Sequence, residues 1–158
     1  MPTSGERPKG PREAAVALLM PRFRPPSDGR LTAEQLDRYV RVRRAARGRT
    51  DRDAARALGV DPDEFFWVRG RVFEALLELE TQKVRSASDA VYARTVASLR
   101  ESRKSARDPA IARTLDEQIA GLERERAAIR KPDAAPASVL ANARLVAGRR
   151  ADVDPVSP

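Results

Sequence analysis

Between Pro62 and Arg107 the chain contains no proline, and apolar residues recur there at helical spacing. The stretch also opens on a strong start signal. Asp61 suits an N-cap, Pro62 the first helical position, and Asp63 and Glu64 the positive end of the helix dipole. Val60 and Phe65 stand at the two positions of a hydrophobic staple. These features predict a helix over about 62–107, longer than about 40 residues where the average helix has about 11–12. Ser86 and Ser88 are its weakest points and do not force a break. Asp108-Pro109 then starts a second helix to about Arg130, with Ile111, Leu115, Ile119, Leu122 and Ile129 on one side. The later half of the long helix offers only Tyr92, Val96 and Leu99. Two narrow stripes joined by a short Asp-Pro turn predict an antiparallel helical hairpin.

The first half of the long helix carries most of the apolar mass. Phe65, Val68, Val72, Ala75, Leu76 and Leu79 share one face, and Phe66, Phe73, Leu77 and Val84 widen it to half the circumference. A face that wide is expected to be packed from two sides. Arg71, Glu74, Glu78 and Arg85 line the opposite side, which reads as solvated.

Upstream, Thr32 and Gln35 form a capping box, with Leu31 and Leu36 as its staple. The helix they start is expected to reach about Arg47, stopped by Gly48, with Leu36, Tyr39, Val40 and Ala46 inward. A short helix follows, capped by Thr50, running from Asp51 to Leu58 and ended by Gly59. A last one is expected from Pro136 to Val146. The fold class is therefore all-α, an irregular helical bundle built around the hairpin. The organisation expected is a flexible N-terminal segment (1–30) with a short helix from Arg12 to Met20, a helical domain (31–131), and a short helix with a disordered tail (132–158).

Composition limits the chemistry. Cysteine and histidine are absent, which removes disulfides, thiolate nucleophiles, the commonest metal ligands and the commonest general base. Neither a glycine-rich phosphate loop nor a nucleophile elbow occurs. Asp61, Asp63 and Glu64 are explained by capping, and Glu74 with Glu78 matches no metal-ligand spacing. The expectation is a protein without catalytic residues, cofactor, metal or small-molecule substrate. The longest apolar run, Ala14–Met20, is far short of the ~20 residues a bilayer requires. Lys9 and Arg12 precede it as in a signal peptide, but Pro21-Arg22-Phe23-Arg24 follows where small residues should mark cleavage, so a cytoplasmic location is expected.

The net charge is +8, which suits an anionic partner. Residues 31–50 hold six arginines against Glu34 and Asp37, and Arg38, Arg41 and Arg44 point away from the apolar stripe as candidate phosphate contacts. Residues 51–60 look like the first half of a helix-turn-helix with Gly59 as the turn glycine. The would-be recognition helix, however, begins Asp61-Pro62-Asp63-Glu64, groups that repel phosphate. Trp67 projects with the charged side of its helix. It can serve as an aromatic anchor for a protein partner, together with Arg71, or pack under the N-terminal segment or against Arg71 itself.

The pattern Leu31-Thr32-x-Glu34-Gln35-x-x-x-Tyr39, followed by Gly59-Val60-Asp61 with Glu64, Trp67 and Arg71, resembles a segment of uncharacterised bacterial helical proteins, often exported or lipid-anchored. It covers about a third of the chain and implies no known activity. The leading expectation is a non-catalytic protein-interaction or scaffold protein that binds a protein partner or itself. The alternative is a nucleic-acid-binding protein using the arginine-rich helix.

Overall fold

The computed structural model describes residues 22–131 and 135–153. Among these residues the chain is all-helical, with six helices and no strand. They are α1 (Ala33–Ala45), α2 (Asp51–Ala57), α3 (Pro62–Ser105), α4 (Pro109–Arg130), α5 (Ala137–Ala147) and α6 (Arg150–Val153). The expected helix from Arg12 to Met20 lies outside the described residues. The chain forms two compact units that divide within α3. One comprises the described residues up to Arg71 together with 151–153, and the other runs from Val72 to Arg150.

In the first unit the start signals work as their chemistry requires. The Thr32 hydroxyl accepts from the Gln35 amide at 3.2 Å, and the Gln35 side chain accepts from the Thr32 amide at 3.0 Å. Both orphan donors are thereby satisfied, which is why Gln35 tolerates burial. Helix α1 ends at Ala45, two residues before the expected Arg47, and Gly48 takes φ +75 after a further turn. Helix α2 closes in a Schellman motif. The Val60 amide donates to the Ala55 carbonyl and the Gly59 amide to Arg56, with Gly59 at φ +67. That turn aims Val60 inward beside Ala54 and Ala55, all three buried.

Asp61 does two jobs. One carboxylate oxygen caps α3 by accepting from the Asp63 amide at 2.8 Å, and the other accepts from the Phe23 amide at 3.0 Å. The stretch before α1 is thus tied to the start of α3, and Leu31 is buried. Leu36, Tyr39, Val40, Val42, Phe65 and Val68 complete the core of this unit, with the Tyr39 and Phe65 rings stacked at 5.4 Å. Burial pushes the Tyr39 phenol above its ordinary pKa, against the opposing pull of Arg43 and Arg69. Val153 of α6 is also buried, in a region the sequence reads as polar tail.

In the second unit α3 continues unbroken past Ser86 and Ser88 and packs against α4 and α5. Asp108 caps α4 by accepting from the Ala110 amide at 2.7 Å. The hairpin is antiparallel, as its cross-links show. Arg103 meets Asp116, Arg100 meets Glu123, Tyr92 meets Glu125, and Asp89 meets Arg126 and Arg130. Partners climb α4 as they descend α3. The seam between them is thin: Val96 and Ala112 are buried, while Leu99, Leu115, Ile119 and Leu122 are half-exposed. Helix α5 buries Asn142, Ala143 and Val146.

Candidate functional site

The apolar girth of α3 is divided between two surfaces. Val72, Ala75 and Val96 are buried. Phe73, Leu77, Val84 and Val91 are bare, at 68, 60, 64 and 52 % exposure. Of the two sides expected to be packed, the helices among the described residues cover only one. The side expected to be solvated also differs, since Arg71, Glu74, Glu78 and Arg85 are half-buried. The physical reason is the long stems of Arg and Glu. These lie along apolar surface, and Arg71 buries even its Nε atom, so charge alone does not mark the outer face.

The bare residues follow a rule of their own. Leu77, Val84 and Val91 are spaced by seven, and Phe73 lies one turn before Leu77. A 3.5-residue period is the mark of a seam between two helices that wind around each other. Beside the seam lies a groove of about 750 Å³ in the second unit, lined by Leu77, Thr81, Val84 and Ser88 of α3 and Ala128 and Ile129 of α4. Glu80, also on this rim, is bonded to Arg150, and that contact holds its carboxyl below the usual range. The sequence contains the signal for this surface, in the seven-residue spacing and in the excessive width of the apolar face. What it does not contain is the information that no helix among the described residues covers it.

The residues singled out from sequence lie elsewhere. Trp67 is half-buried, and the Phe23 ring sits on it at 5.5 Å and 51°. The N-terminal stretch thus occupies one side of this tryptophan. Arg71 is half-buried one turn further along. Of the candidate phosphate contacts, Arg38 donates to Glu64 at 2.6 Å and Arg44 to Asp152 at 2.5 Å. Arg41 is exposed and has no ion-pair partner among the described residues. Asp51 takes both Arg43 and Arg69, at 3.4 and 3.2 Å. The arginine-rich helix is thus partly neutralised by carboxylates of its own unit. Phe66 stays exposed, with the Arg52 guanidinium 5.8 Å over one face of its ring.

Among the described residues no three acidic side chains converge where a metal ion could be held. No helix among them is long and apolar enough to cross a membrane. No family model, curated protein or solved structure matches the chain.

Proposed function

We propose that this chain is a non-catalytic helical interaction protein, which offers the bare face of its α3–α4 hairpin to a helix of a protein partner. The observation that carries the reading is the exposure of Phe73, Leu77, Val84 and Val91 in one seam. Each such side chain gains roughly 1.5–3 kcal/mol when fully buried, and leaving several in water along one line is uncommon on a monomer. A groove flanked by apolar residues at four- and seven-residue spacing fits the docking of an amphipathic helix. The absence of histidine and cysteine, and the use of the Asp61 carboxylate in capping and of Glu64 in pairing with Arg38, support the non-catalytic half of the reading. The nucleic-acid alternative is weaker, because Arg38 and Arg44 would first have to give up Glu64 and Asp152.

Site-specific photocross-linking tests this. A photoreactive phenylalanine analogue is placed at position 73 or 84 in cells that make the protein, with position 124 on exposed α4 as the control. Discrete protein adducts from 73 and 84, and none from 124, are expected. No adduct from either seam position would refute the reading.

A further inference from the structure

We infer that the helix received by this seam is α3 of a second copy of the same chain, paired antiparallel about a two-fold axis near Gln82. The inference rests on the interaction reading above and names its partner.

Three observations carry it. The first is self-complementarity. An antiparallel pairing centred near Gln82 sets Phe73 against the partner's Val91, and Leu77 against the partner's Ala87. Large residues thus meet small ones, as interdigitating layers require. A parallel pairing instead stacks Phe73 on Phe73 and Glu80 on Glu80.

The second is charge. In the antiparallel register, Glu80 lies against the partner's Val84 on each side of the axis, with the partner's Lys83 one residue away and within reach of the carboxylate. Within one chain Glu80 and Lys83 already lie 3.9 Å apart. Arg150 holds Glu80 from the other side, so the carboxylate does not enter the seam unpartnered. Thr81 lies close to its own copy and brings no like charge.

The third is area. Taking about 150 Å² per side chain, the lower end of the aromatic range because three of the four are Leu or Val, these exposures leave roughly 370 Å² of apolar surface on each copy. The contact runs for about 27 Å of helix. Leu76, Thr81, Ser88 and Ile129 on its rims raise the buried surface to about 600 Å² per copy, the lower end of the range for specific interfaces.

The test needs no background correction, because the chain has no cysteine of its own. Sedimentation equilibrium from about 1 to 500 μM is expected to show a shift from 17.4 kDa to twice that mass. Leu77→Glu and Val84→Glu are each expected to remain at 17.4 kDa with an unchanged helical circular dichroism spectrum. Both positions are exposed, so folding should not suffer. As a second readout, Thr81→Cys is expected to be joined to its copy by a short bismaleimide, whereas Glu74→Cys is not. A monomer throughout the concentration range would overturn the inference, as would cross-linking of Glu74→Cys without Thr81→Cys. If photocross-linking still captures a different protein at positions 73 and 84, the interaction reading stands and only self-pairing falls. If it captures nothing, both fall.

Discussion

Two phenylalanines of α3, eight positions apart, should respond in opposite ways to the same truncation. Phe65 is 1 % exposed, stacked on Tyr39 at 5.4 Å and 20°, and edge-on to Phe66 at 5.4 Å. Phe65→Ala removes the ring's transfer energy, opens a cavity among Leu36, Tyr39 and Val68, and loses the ring pair. Buried Phe→Ala changes cost about 3–5 kcal/mol, with aromatic pairing worth about 0.5–1.5 kcal/mol beyond area. Taking about 4 kcal/mol and a urea slope near 2 kcal/mol/M, the midpoint should fall by about 2 M. Trp67 is the only tryptophan and belongs to the same compact unit, so its fluorescence reports that unit directly. Phe73 is 68 % exposed, and in dilute protein Phe73→Ala should change stability by less than about 0.5 kcal/mol. Equal shifts for the two variants, or a loss below about 1 kcal/mol for Phe65→Ala, would refute the division of α3 into a covered and a bare face.

Thr32→Ala should cost about 1 kcal/mol in the same urea titration, since it leaves the Gln35 amide without its cap. Asp89 is held well below the usual carboxylate range by hydrogen bonds from Arg126 and then Arg130. Its folded value lies below its unfolded one, so its stabilising effect is complete above about pH 4 and fades as pH falls toward the lowered value. Asp89→Asn should lower the melting temperature at pH 7, and the gap from the parent should shrink on acidification toward pH 2. A gap independent of pH would count against the bridge. Duplex DNA titrated at about 50 and 200 mM salt should show no salt-sensitive micromolar binding. Such binding, abolished by Arg41→Glu with Arg44→Glu, would restore the nucleic-acid alternative.

Much of the fold is legible in the amino-acid sequence because the helix starts are written in local chemistry. Thr32 with Gln35, Asp61 before Pro62, and Asp108 before Pro109 each satisfy backbone donors within a few residues, and each cap forms as expected. The unbroken run of α3 and its pairing with α4 follow from the same kind of signal. What was not legible depends on distant partners. Arg44 reads as a free cation until Asp152 folds back to it across 108 positions. Val153 lies among polar residues, and nothing local marks it for burial. The outer face of α3 is not legible because Arg71, Glu74 and Phe73 occupy one helix whose neighbours alone decide which side is wet. The sequence allows Trp67 to pack beneath the N-terminal stretch, and Phe23 supplies the covering ring.

The central claim is that the apolar circumference of α3 is half covered by the other described helices and half left bare by them. Thiol accessibility measures this directly, since every introduced cysteine is unique. Phe73→Cys, Leu77→Cys, Val84→Cys and Val91→Cys, in dilute native protein, should react with a maleimide at close to the rate seen in urea. Val72→Cys, Ala75→Cys and Val96→Cys should react at least about 100-fold more slowly, as positions that open only by unfolding do. Uniform protection of both sets, or uniform reactivity, would contradict the account.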